Sequence, residues 1–175
     1  MLFLRTKLKL PFDHSLLFIY SLVHHKQNGS PRIDIDLITK YKTDLKGYHG
    51  WKAYQQSKLG NILLPKEFAK RYSSMEAVSL HPGGINTNLS RHTGVFGTIW
   101  FLLTVLPDLM RTKALAMKSV AVGASTTVTA ATTTALVNGA YYDDCEVAEE
   151  TESAKNMEDA KALFDYCDEA TKDYQ

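Results

Sequence analysis

Cysteine is scarce here: Cys145 and Cys167 are the two in 175 residues, and neither belongs to a CxxC pair. Two thiols cannot furnish the four ligands of a tetrahedral site, so structural zinc is not expected and a reducing compartment fits best. Neither sign of charge dominates. Twenty Lys and Arg against nineteen Asp and Glu leave a formal +1, which argues against a nucleic-acid footprint or a polybasic membrane surface. Long apolar runs are also missing: the most apolar stretch, Val95 to Leu106, falls short of the roughly 20 residues that span a bilayer and stops at Pro107-Asp108. It reads as a core helix or one dipping into a membrane surface. Met1 to Val23 has early basic residues and the run Leu16-Leu17-Phe18-Ile19. Asp13 and His14 interrupt it and no small-residue cleavage site follows, so a signal peptide is not expected. No GxSxG elbow surrounds Ser21 or Ser57, which leaves a serine hydrolase without its usual turn. No HExxH spacing joins any of the six histidines, and the adjacent His24 and His25 read as solvated loop residues.

What is present is a chain with 45% hydrophobic residues, long enough to bury one core. Residues 15 to 21 form a short apolar run, the pattern of a strand buried on both faces of a parallel sheet. His24 to Gly50 is polar and punctuated by Asn28-Gly29, Ser30-Pro31 and Gly47, and reads as a long surface loop. Trp51 to Tyr72 carries Tyr54, Leu59, Ile62, Leu63 and Phe68 at helical spacing, with Gly60 its weak point and Pro65 expected to kink it. Ala77 to Leu80 reads as a second buried strand that breaks into a turn at His81-Pro82-Gly83-Gly84. Helices are expected over about Phe96 to Met110 and Thr112 to Leu136, then a brief strand at Ala140-Tyr141-Tyr142. Asp143 to Asn156 reads as a solvated acidic loop. Met157, Ala160, Leu163, Phe164 and Cys167 recur at the spacing of a final amphipathic helix. Alternating strands and helices predict an α/β fold with a parallel sheet.

Tyr54 and Lys58 stand four apart on the predicted helix, one turn from each other on one face. A phenol titrates near about 10 and serves poorly as an acid or base at neutral pH unless its anion is stabilised, which a nearby ammonium does. Lys58 could do so while donating to a sugar diol. The spacing is common in helices, so taken alone it more often describes a surface tyrosine beside a solvated lysine. Its setting is more informative. Ser21 ends one predicted strand and His81-Pro82-Gly83 ends the next, so all these groups converge on the carboxyl edge of the sheet, where ligands of open α/β sheets bind. His81 itself reads as a satisfied turn residue.

Ala53-Tyr54-Gln55-Gln56-Ser57-Lys58-Leu59-Gly60-Asn61-Ile62-Leu63 resembles the tyrosine helix of the short-chain dehydrogenase/reductases, in particular the retinol dehydrogenase and WW-domain oxidoreductase branch. Leu80-His81-Pro82-Gly83-Gly84-Ile85-Asn86-Thr87-Asn88-Leu89 is similar to that family's proline-glycine loop. Ser21-Leu22-Val23-His24-His25 resembles its serine strand end, with a tyrosine where a second serine is usual, and Gly139 to Cys145 resembles its last strand. The resemblance implies the C-terminal part of a Rossmann-like, doubly wound parallel sheet. The GxxxGxG loop of the first βαβ half does not occur in the chain, and Leu2 to Pro11 looks like the helix before the serine strand. An N-terminally truncated, single partial domain over 1–175 is therefore expected. Its parts are a helix and serine strand (1–21), a loop (22–50), the tyrosine helix and proline-glycine loop (51–92), the substrate-lid region with a packing helix and last strand (93–142), and an acidic loop with a C-terminal helix (143–175).

Residue by residue, the resemblance implies that Tyr54 is the acid/base, that Ser21 binds the substrate oxygen, and that Lys58 binds the nicotinamide ribose. Pro82 and Gly83 would shape a turn whose backbone at Gly84 and Ile85 reaches the carboxamide, with Thr87 near the pyrophosphate. The cofactor is then NAD or NADP and no metal is implied. The substrate is an apolar alcohol/carbonyl pair, and Trp100 falls where the family's variable substrate lid lies, although both tryptophans also suit packing. A cytoplasmic location or one peripheral to an intracellular membrane is expected, with a homo-oligomer left open. A second reading also stands: a catalytically inactive homologue or an incomplete product that acts, if at all, as a protein-interaction module.

Overall fold

The computed structural model describes residues 16–20, 32–41, 43–83, 85 and 118–174. The first apolar run forms β1 (Leu16–Tyr20), and the second forms β2 (Glu76–His81). They pair in parallel with Leu16 opposite Glu76 and Tyr20 opposite Leu80. On the other side of β2 lies β3 (Tyr141–Asp143), also parallel, and β4 (Glu146–Val147) closes the described sheet as an antiparallel edge. The order β1-β2-β3-β4 makes β2 an inner strand, while β1 stands at one edge of the described sheet.

Two cores explain why β2 is buried without alternation. Val78 and Leu80 face Ala130 and Tyr142, whereas Tyr141 packs with Leu59, Ile62 and Leu63 of α2 (Gly50–Arg71) and with Ala160 and Leu163 of α5 (Met157–Thr171). Ala130 belongs to α4 (Ser125–Thr132), which follows the single turn α3 (Val120–Gly123). Helices thus cover both faces of the sheet, which is the doubly wound arrangement. No helix among the described residues is long and apolar enough to cross a membrane.

Several sequence expectations change in detail. The stretch 24–50 is not all loop: α1 (Ile35–Lys40) forms where Asp34 caps its start, accepting from Leu37 N at 2.9 Å. Helix α2 runs through Pro65 without a break, and Pro65 is among the fully buried side chains. Packing there offsets the backbone bond a proline removes. Gly60, the expected weak point, lets α5 come close: a Cβ on it would lie 3.1 Å from Leu163 Cδ2. The acidic stretch 143–156 is structured rather than solvated throughout. It holds β4 and a 3-10 turn (Glu152–Lys155) in which Ala154 is fully buried. Glu150 pairs with Lys66 of α2, both side chains largely buried, and Lys66 also donates to the Ala154 carbonyl at 2.9 Å. The helix expected at Phe96 to Met110 lies outside the described residues, and within Thr112 to Leu136 the helical parts are α3 and α4.

The junctions use polar side chains economically. Asn138 accepts from Ala77 N at 2.7 Å and donates to Met75 O at 3.0 Å, fastening the approach to β3 onto the start of β2. Asp159, buried in the first turn of α5, accepts from Arg32 Nη2 at 2.8 Å and from Ile33 N at 3.3 Å. Arg71 joins α2 to α5 by donating to Asp165 at 2.6 Å and by stacking over Phe164 at 4.3 Å.

Tyr141 makes the sheet sensitive to alkali. Burial, reinforced by Asp143 and Glu150, pushes its phenol far above the ordinary value. The native chain keeps it neutral while the unfolded chain ionises it, so this stability is fully present below about pH 10 and is lost as pH rises further. Tyr141→Phe is expected to make the alkaline limb of the stability curve shallower, read by circular dichroism. An unchanged limb would show that Tyr141 does not control it.

Candidate active site

A short connection, Tyr72 to Met75, joins the end of α2 to the start of β2, and α2 packs back along β2. The first half of α2 therefore lies toward the carboxyl end of β2. That half carries Tyr54 and Lys58, both partly buried. Lys58 Nζ lies 5.3 Å from the centroid of the Tyr54 ring, within cation–π range. Burial holds the Tyr54 phenol above its ordinary value. The depression expected from a nearby ammonium is not found: Lys58 Nζ lies over the ring face, and burial alone sets the direction of the shift. Ser57 Oγ donates to the Tyr54 carbonyl at 2.7 Å.

Gln56, between these residues, is 4% exposed and was not singled out by the sequence. It accepts from Asp34 N at 2.8 Å and donates to Arg32 O at 3.0 Å, tying the segment before α1 to the tyrosine helix. An amide in YxxxK carries no chemistry of its own, so only its burial reveals its part. The cleft beside it, about 450 Å³, is lined by Ile33 and Ile35 together with Arg32, Asp34, Asp36, Lys52 and Gln56, and so carries charges of both signs.

At the carboxyl end of β2, His81 and Pro82 are buried, and Gly83 takes φ +81°, a left-handed conformation that favours glycine. His81 is the last residue of β2, opposite Asp143 of β3, rather than part of the turn. Ile85 bridges in parallel to Lys118, and its side chain fills the space that a Cβ on Gly123 would occupy. Lys118 and Gly123 were not marked by the sequence either, and Asp144 fell only within the stretch that resembles the last strand; no periodicity or motif links residues so far apart. Ser21, Gly84 and Thr87 lie outside the described residues, as do His24, His25 and Trp100. Among the described residues no group of His, Cys, Asp and Glu could hold a metal ion.

The residues present suit one end of a dinucleotide. Lys58 offers ammonium donors on the same helix face as a phenol, and Gly83 has no side chain of its own, although the Lys118 side chain lies against it. No glycine-rich loop for a pyrophosphate occurs in the chain.

No family model matches the chain. It is 33% identical over 128 residues to "Retinol dehydrogenase 11" of Mus musculus, an alignment covering 70% of this chain and 37% of that protein. To "Retinol dehydrogenase 13" of Homo sapiens it is 32% identical over 162 residues, covering 90% of this chain and 46% of that protein. To "Short-chain dehydrogenase TIC 32 B, chloroplastic" of Brassica napus it is 32% identical, covering 74% and 40% respectively. The crystal structure of an uncharacterized protein from Mycobacterium Paratuberculosis superposes with a TM-score of 0.58 at 22% identity, over 90% of this chain and 50% of that one. That likeness supports the fold alone. The chain spans less than half the length of these curated relatives.

Proposed function

The chain belongs to the short-chain dehydrogenase/reductase family, and on that premise we propose that it carries the acid–base half of an NAD(P)-dependent oxidoreductase. The reaction interconverts an alcohol and a carbonyl on an apolar substrate, the class named by the retinol dehydrogenases. The observation that carries this reading is the pairing of Tyr54 with Lys58, the ammonium 5.3 Å from the phenol ring, at the carboxyl edge of parallel strands.

A bound nicotinamide supplies or accepts the hydride at the substrate carbon. Tyr54 Oη handles the proton: it donates to the developing alkoxide in reduction and takes the proton back in oxidation. Burial favours the protonated phenol, the form that donates in the reductive direction. Lys58 serves the nicotinamide ribose and favours the phenolate in the opposite one. Ser21 would hold the substrate oxygen. Pro82, Gly83, Gly84 and Ile85 would present backbone to the carboxamide, and Thr87 would lie near the pyrophosphate.

Fluorescence titration of the 175-residue chain with NADH and NADPH tests this reading, with Lys58→Ala beside it. Saturable binding that weakens about tenfold or more in Lys58→Ala is expected, since a charge-assisted contact is lost. No binding by a demonstrably folded chain would mean that this polypeptide is not itself the enzyme, and would favour an interaction module.

A further inference from the structure

Lys118 reaches the proline-glycine turn from outside every motif in the sequence. Its stem lies across Gly83: a Cβ built on that glycine would stand 3.0 Å from Lys118 Cε and 3.1 Å from Cδ and Nζ. Its backbone bridges to Ile85. Its ammonium donates to Asp144 Oδ1 at 2.8 Å. Asp144 and Cys145 form the two-residue turn between β3 and β4, and Cys145 N donates to Thr126 Oγ1 of α4 at 3.2 Å. One lysine therefore touches the turn after β2 and the turn after β3, two of the strand ends at the sheet's carboxyl edge.

We propose that Lys118 is a positioning residue for the proline-glycine turn, its stem covering Gly83 and its ammonium, anchored on Asp144, clamping that turn and Ile85 to the β3–β4 hairpin. The arrangement differs from an ordinary surface ion pair. The Lys118 side chain is 21% exposed although its partner is 78% exposed, so the lysine is ordered by packing and Asp144 fixes only its tip. Exposed pairs add little to global stability. The clamp acts instead on where the Gly83 backbone sits. Its consequence for cofactor binding rests on the function proposed above.

The test uses the whole chain as native protein, Lys118→Met, Lys118→Arg and Asp144→Asn. Met keeps the stem and removes the charge; Asn removes the anchor. Amide resonances of Gly83 and Ile85 are expected to shift in Lys118→Met and Asp144→Asn and to move back in Lys118→Arg. The thermal midpoint and the α5 amides should stay in place. NADH affinity should fall about fivefold in the first two variants, the scale of one well-placed ion pair, and recover in Lys118→Arg. About 1 M salt, which shortens the screening length to about 3 Å, should reproduce the Asp144→Asn shifts in native protein. Unmoved Gly83 and Ile85 resonances in Lys118→Met would overturn the assignment, as would a shift common to all amides. Failure of the native protein to bind NADH would instead overturn the functional reading, with the resonances still deciding the role of Lys118.

Discussion

Tyr54→Phe is expected to lower turnover by about 10²- to 10⁴-fold, the usual contribution of a positioned acid or base, while cofactor affinity changes little. The substitution removes one oxygen and its proton and leaves the ring under Lys58, whose Nζ lies 5.3 Å from the ring centroid. A cation above a ring does not need the hydroxyl, so ribose-side binding should survive. The measurement needs a protein that carries this chain together with a glycine-rich nucleotide-binding half, assayed with a retinal-like aldehyde and NAD(P)H under steady-state conditions. A fall in kcat with an unchanged KM for cofactor is the expected result. Retained turnover would sink Tyr54 as the acid/base, and a matching loss of cofactor affinity would show that the ring, rather than its proton, had been the functional part.

Leu63→Ala is expected to cost about 2–5 kcal/mol in urea unfolding, the range for truncating a fully buried leucine. Leu63 has no exposed surface and packs in the cluster that joins α2, α5 and Tyr141. Leu45→Ala is the control. That leucine is 68% exposed, and its loss should change stability by less than about 0.5 kcal/mol. Similar effects at the two positions would contradict the placement of the core. Helix α2 both fills this core and carries Tyr54 and Lys58, so a cavity at Leu63 should also loosen the site.

Strand β2 and the helices α2 and α5 were legible because burial leaves a plain trace in the sequence. Leu16 to Tyr20 is a continuous apolar run and Ala77 to Leu80 a nearly apolar one; Leu59, Ile62 and Leu63 recur at helical spacing on α2, and Ala160, Leu163 and Cys167 do so on α5. The helix that carries Tyr54 and Lys58 was readable for the same reason. Helix α1 was not, since its six residues sit among glycines and polar punctuation, although Asp34 before Ile35 and Ile38 was a usable cap signal. The buried Lys66–Glu150 pair hid the order in the acidic stretch, because charge there reads as solvation until its partner is known. In the Thr/Ala-rich region, β-branched threonines hold helix propensity low, and α4 ends at Thr132, short of the expected Leu136. The clamp at Lys118 depends on contacts between distant segments, which no local pattern records.

The hairpin that receives Lys118 has a bearing on redesign. Asp144 and Cys145 both hold positive φ, +50° and +71°, a combination for which two-residue hairpins prefer Asn-Gly. A stability-minded engineer would therefore replace this pair first. Asn-Gly would relax the backbone but also delete the carboxylate that Lys118 grips, whereas Asp-Gly, equally suited to the turn, would keep it. The hairpin is thus a point where an edit for heat tolerance spares the clamp only if it changes Cys145 and leaves Asp144 in place.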